Sequence, residues 1–181
     1  RQIGFTPKEF AQKIIENEGG LEKAQKLFNS KSDMSSDYKP SPIPQNSVGI
    51  KYSNILNKIF KNDYDFSDYA RAASIYWPGN RIGHGREDVV KFWKLIKDAL
   101  GNIKFSVEHI GYLEEPNKNY KASIRWFLEA VHLNDTSEFG KATNKNIFIM
   151  GINHAEICDG NVIREWVLFD EVAIWKQILM K

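Results

Sequence analysis

Three side chains in the last third of the chain are of types that handle protons: His132, His154 and Asp170. An acid and two imidazoles are the groups that general acid–base catalysis uses most. A carboxylate acts as a base near neutral pH only where desolvation lifts its pKa. Asp170 lies between the apolar runs Val167-Leu168-Phe169 and Val172-Ala173-Ile174. The same position also fits an N-cap for a helix starting at Glu171. His154 sits mid-strand among Ile, Met and Phe, either as a satisfied core histidine or as part of a site. His132 ends an alternating run on the face of Trp126, at a pocket mouth or at a solvated strand end. Trp126, Trp166, Tyr76, Trp77 and Trp93 supply flat apolar surface: each suits a core, and as a set they suit the lining of a cavity.

Whether His154 and Asp170 can meet depends on strand register. A two-residue turn at Asp159-Gly160 pairs His154 with Glu165 and puts Asp170 on the opposite face. A three-residue loop with Gly160 as a left-handed bulge pairs His154 with Arg164, and His154, Trp166 and Asp170 then share a face. The bulged loop is the expectation, because the site needs it.

Several elements must hold these residues in place. Thr6-Pro7-Lys8-Glu9 is a helix start, with a capping box and Pro at the first helical position. Helical apolar spacing runs on to Phe28 and is broken at Gly19-Gly20. Residues 29–48 hold six serines and three of the six prolines, which is linker composition. The expected division is therefore a helical arm over 1–28, a Ser/Pro-rich linker over 29–48, and a compact domain over 49–181. The arm cannot bury its apolar face alone and must dock. In the domain, a helix through Ile55 and Ile59 precedes a short strand at Ala73–Trp77. A Gly-rich turn at Gly83-His84-Gly85 leads into the clearest helix, Glu87–Leu100, with Gly101 as its stop. The period then changes from 3.6 to 2 through four long strands. Helices followed by an antiparallel meander make an α+β layout, with a hollow between helix layer and sheet.

Bulk properties exclude other classes. The chain has 181 residues, 25 basic and 23 acidic side chains, and no basic stripe of the kind nucleic acid requires. No apolar run reaches the length of a membrane span. Cys158 is the only cysteine, which rules out an internal disulfide and suits a cytoplasmic location, although the chain opens at Arg1 and an upstream signal or domain stays open. Gly83-His84-Gly85 lacks the rest of a phosphate loop, and His154-Ala155-Glu156 lacks the Pro-Cys-x-x-Cys of the zinc deaminases. With no short-spaced pair of histidines, no metal site is expected.

The element order resembles the cone-shaped fold of nuclear transport factor 2. The closing stretch GINHAEICDGNVIREWVLFDEVAIWKQI resembles that of SnoaL-like polyketide cyclases. There a D-G turn is followed by an apolar residue, an acid, a Trp, an Asp four residues later, and a helix with a Gln. Asp159-Gly160, Ile163, Glu165-Trp166, Asp170 and Gln177 stand in those places, and RWFLEAVHLND resembles the strand that ends near a His. The resemblance covers roughly residues 50–181. It implies an NTF2-like cone: N-terminal helices on a curved, mostly antiparallel sheet enclosing a pocket. It also implies cofactor-free chemistry in which an acid removes a proton from carbon between two carbonyls and the ring closes by aldol addition. Carried over, Asp170 is the base, with His154 and His132 as acid or oxyanion partners. Some relatives carry two such domains, and relatives are commonly dimers.

The leading expectation is a cofactor-independent cyclase/isomerase-type enzyme acting on a small apolar carbonyl compound. Trp126, Trp166, Tyr76 and Trp93 would line its pocket. The alternatives are a non-catalytic protein that binds a small hydrophobic molecule, and a dimeric structural or assembly module. The expected partners are a small hydrophobic molecule and a second copy of the chain. Such a dimer would use the outward residues Lys121, Ser123, Arg125, Phe127 and Glu129.

Overall fold

The computed structural model describes residues 6–27, 47–61 and 64–179. Most of the expected linker lies outside them, and the last two residues assigned to it, Ser47 and Val48, instead open a helix.

The N-terminal capping box forms as its residues dictate. Thr6 Oγ1 accepts from Glu9 N at 3.2 Å, and Glu9 Oε2 accepts from Thr6 N at 2.8 Å. Helix α1 (Pro7–Asn17) stops at Gly19-Gly20, and α2 (Leu21–Ala24) runs into a single 3-10 turn. This arm docks on the C-terminal helix α5 (Glu171–Leu179). Gln25 Nε2 donates to Ile178 O at 3.0 Å, and Lys8 faces Glu138 at 3.8 Å.

Helix α3 (Ser47–Ile59) and helix α4 (Arg86–Lys97) cover one face of a six-stranded sheet. Its strands are β1 (Tyr69–Trp77), β2 (Arg81–His84), β3 (Leu100–Leu113), β4 (Tyr120–His132), β5 (Asn146–Cys158) and β6 (Asn161–Phe169). They lie in the order β2-β1-β6-β5-β4-β3, with β1 parallel to β6 and the other neighbours antiparallel. This is the expected α+β cone, helices on a curved sheet. Among the described residues, no helix is long and apolar enough to cross a membrane.

Three local expectations need correction. The Gly-rich turn is mostly strand: Gly83 and His84 belong to β2, and only Gly85 turns the chain into α4. Helix α4 ends at Lys97, and Leu100 and Gly101 already belong to β3. Gly101 is not a helix stop; a Cβ there would lie 2.3 Å from Leu133 Cδ1, so its bare backbone makes room for that side chain.

The third correction concerns the β5–β6 register. Cys158 pairs with Asn161 across a tight turn in which Asp159 and Gly160 both have positive φ, 48° and 80°. That is the two-residue geometry that fits strand twist. An irregularity then follows inside the strand, between Ile157↔Val162 and Glu156↔Arg164. The bulge exists, but past the turn rather than in it, and His154 pairs with Trp166 instead of Arg164 or Glu165.

Candidate functional site

The register sorts β5 and β6 into two faces. Gly151, Asn153, Ala155, Glu165, Val167 and Phe169 face the helices, whereas Ile152, His154, Glu156, Arg164, Trp166 and Leu168 face outward.

Inside the wedge, one side chain from each of four elements donates to Glu165 of β6, and a fifth, from β4, orients one of those donors. Tyr52 of α3 donates to Oε1 at 2.5 Å, and Asn153 Nδ2 of β5 donates to the same oxygen at 2.9 Å. Tyr69 of β1 donates its hydroxyl to both carboxylate oxygens, at 3.0 and 3.1 Å. Trp93 Nε1 of α4 donates to Oε2 at 3.1 Å. Trp126 Nε1 of β4 donates to Asn153 Oδ1 at 2.7 Å, which orients that amide so its nitrogen faces Glu165. Tyr52, Tyr69, Trp93, Trp126, Asn153 and Glu165 are all fully buried.

Burial pushes the Glu165 carboxyl above its ordinary pKa, and the donors from Tyr52, Trp93, Asn153 and Tyr69 offset part of that rise. The carboxylate in turn reinforces the desolvation that drives both tyrosines well above the usual phenol range. A carboxyl whose desolvation outweighs four donors holds its proton more tightly than a surface acid, and it lies in hydrogen-bond contact with two phenols. Such a group is placed to take part in proton transfer.

The interior around it is filled. The Trp126 indole lies across the bare backbone of Gly151, where a Cβ would sit 2.1 Å from Trp126 Cζ2. Trp77 meets Trp93 edge-on at 5.1 Å, and Phe105 lies 5.7 Å from Trp126. A recess of about 420 Å³ opens beside this core, lined by Tyr64, Phe66, Trp93, Lys94 and Lys97 among others. Trp93 thus both borders the recess and contacts Glu165.

The three expected proton-handling residues do not converge in the hollow. Asp170 is exposed, just beyond β6, and its Oδ1 accepts from Ala173 N at 3.0 Å as the N-cap of α5. His154 is exposed on the outer face, between Trp166 and Ser123. His132 is fully buried on the opposite, inner face, at the end of β4. Its Nδ1 meets Thr143 Oγ1 at 3.1 Å, and Nε2 is buried without a hydrogen-bond partner among the described residues. Burial lowers its pKa.

The expected aromatic lining splits the same way. Trp93 and Trp126 belong to the interior. Tyr76 and Trp166 stack on the outer face, centroids 5.3 Å apart with their planes nearly parallel at 10°. Sequence reasoning placed Glu165 only as a position in a motif and passed over Asn153, Tyr52 and Tyr69. The available signal was the polar pair Asn153 and Glu165 on hairpin strands, once the in-strand bulge is known. Among the described residues, no three His, Cys, Asp or Glu groups stand together as metal ligands.

The chain superposes on IdmH, a proposed polyketide cyclase from Streptomyces antibioticus, with a TM-score of 0.59 over 74% of this chain and 99% of that one, at 14% identity. A proposed SnoaL-like polyketide cyclase from Jannaschia sp. CCS1 superposes with a TM-score of 0.58 over 76% of this chain and 98% of that one, at 12% identity. The chain has the SnoaL-like fold. AclR, a proposed hydroxylase from Streptomyces galilaeus, shares the SnoaL-like fold with a TM-score of 0.55 over 73% of this chain and 82% of that one, at 14% identity. The SnoaL-like fold thus occurs with more than one assigned chemistry, and identities this low establish architecture alone. No protein-family model matches the chain, and no curated protein matches it in sequence.

Proposed function

We propose that this chain is a cofactor-independent enzyme that abstracts a proton from a small apolar carbonyl compound, with Glu165 rather than Asp170 as the base. The observation that carries this reading is the buried Glu165 carboxyl, held above its ordinary pKa and hydrogen-bonded to Tyr52 and Tyr69. Asp170 is instead exposed and engaged as a helix cap, with Ala173 N rather than a tyrosine as its hydrogen-bond partner. In the proposed reaction the substrate displaces the Trp93 indole from the recess side. Glu165 takes the proton next to the carbonyl, and a tyrosine hydroxyl donates to the developing enolate oxygen. The shared fold with proposed polyketide cyclases supports a cyclase or isomerase outcome. The division into arm, linker and domain belongs to the same proposal.

The test is exchange of a carbonyl-adjacent proton for deuterium in a 1,3-dicarbonyl probe, followed by NMR. Glu165→Gln should lower the enzymatic rate at least about 100-fold, within the range general-base catalysis supplies. Glu165→Asp should recover part of it, and Asp170→Asn should leave it unchanged. Full activity in folded Glu165→Gln, or collapse in Asp170→Asn, overturns the assignment.

A second reading, a non-catalytic protein, draws on the saturation of Glu165 by four donors in a filled interior. It expects no exchange by the wild type, and a lower melting temperature as the only effect of Glu165→Gln.

A further inference from the structure

The outer sheet face carries a feature that the interior chemistry does not use. One row of residues crosses all six strands in register: Ile82, Tyr76, Trp166, His154, Ser123 and Gly111. Along this row runs a groove of about 940 Å³, bounded by the β1–β2 turn at Pro78-Gly79-Asn80 and by the end of β3 at Gly111–Leu113. In the strand order these boundaries lie four spacings apart, about 19 Å across a flat sheet. The volume lies within the range of small-molecule sites, about 300–1,000 Å³.

The chemistry of the lining is specific. Tyr76 and Trp166 stack with their ring planes nearly parallel, and Trp166 remains 37% exposed, which leaves ring surface for a third ring to extend the stack. Ile152 and Leu168 extend the apolar floor. Arg164 lies over the Trp166 ring at 5.7 Å and pairs with Glu156 at 2.9 Å, so the one acid lining the groove among the described residues is already neutralised. Lys121, opposite Glu156 in register, has no ion-pair partner among the described residues and leaves the groove with one uncompensated positive charge. His154 adds a hydrogen-bonding imidazole beside Trp166.

We infer that this groove binds a flat aromatic compound bearing a carboxylate, its rings stacked on Trp166 beside Tyr76 and its anionic end at Lys121. The site is separate from Glu165 and stands whether or not the interior is catalytic. Depth and charge together favour this occupant over a second copy of the chain: a facing sheet cannot fill a concavity, and it would bring Lys121 against another Lys121 or its neighbours.

The test uses 2-naphthoate and its uncharged analogue 2-naphthylmethanol, with NMR of the indole N–H signals as the readout. Binding of 2-naphthoate should shift the Trp166 signal and leave those of Trp93 and Trp126 in place. Lys121→Met, a surface change that spares the fold, should weaken 2-naphthoate about ten-fold and leave the alcohol unchanged. Trp166→Ala should weaken both, and retained dispersion of the Trp93 and Trp126 signals would show that the fold persists. The inference is overturned by shifts confined to the interior indoles, by equal affinity of wild type and Lys121→Met for 2-naphthoate, by no binding at all, or by a dimer whose interface protects Trp166 and excludes the probe.

Discussion

Tyr52 Oη and Glu165 Oε1, 113 residues apart in sequence, meet at 2.5 Å in the centre of the molecule. The contact joins the first helix of the wedge to the last strand of the sheet, and it is the shortest of the bonds that hold the buried acid. Replacing Tyr52 with Phe keeps the ring and removes one donor from a carboxylate that water cannot reach. The expected loss is about 1–3 kcal/mol, measured by denaturant unfolding, with a further rise in the Glu165 pKa. An unchanged stability would mean that Tyr52 packs beside Glu165 without bonding to it.

Gly151 and Trp126 form the second critical pair. A methyl at position 151 would overlap the indole, which is itself fully buried. Gly151→Ala should cost at least about 1–3 kcal/mol and shift the Trp126 fluorescence. Trp126→Phe in the same chain should restore part of the loss, because the smaller ring clears the new methyl; a double variant no better than the single one would argue against that clash.

His132 should contribute a pH dependence of stability. Burial holds its folded-state pKa below the ordinary 6.5. As pH falls below that value, the unfolded chain takes up a proton that the folded chain resists, so stability drops. Above about pH 7 both states are neutral there and the contribution is flat. Melting temperatures between pH 7 and pH 5 should fall more steeply in wild type than in His132→Asn. Parallel curves would place His132 in contact with water.

Asp170 can be tested as a cap. Its Oδ1 accepts from Ala173 N, and an asparagine offers the same oxygen. Asp170→Asn should melt close to wild type, whereas Asp170→Ala should lose about 1 kcal/mol. A large loss in the Asn variant would show that the charge, rather than the cap, holds this corner.

The elements were legible where periodicity is unambiguous: the capping box at Thr6, the amphipathic face of α4, and the long alternation of β4. Position on the sheet was not. β5 is apolar on both sides, with Ile147 and Ile149 inward and Phe148, Met150 and Ile152 outward, so alternation could not say which face His154 joins. The in-strand bulge after Asp159-Gly160 decides it, and a one-residue slip of that kind leaves no mark in the pattern. Glu165 was hidden for a related reason. An acid in a strand is ordinarily solvated, and only its donors, brought from α3, β1, α4 and β5, show that this one is buried. Gly101 misled in the opposite sense: a glycine after an amphipathic run usually ends a helix, whereas here it makes room for Leu133.

The most direct measurement of the central claim is a carbon-13 NMR titration of the glutamate side-chain carboxyls in wild type and Glu165→Gln. One resonance should titrate above the ordinary glutamate value of 4.5 and be missing from the variant. Because that pKa is raised on folding, Glu165 should also make the folded state less stable as pH climbs from 4.5 through the raised value. A Glu165 resonance that titrates at or below 4.5 would show a carboxylate stabilised as a structural anion and would contradict its role as the base.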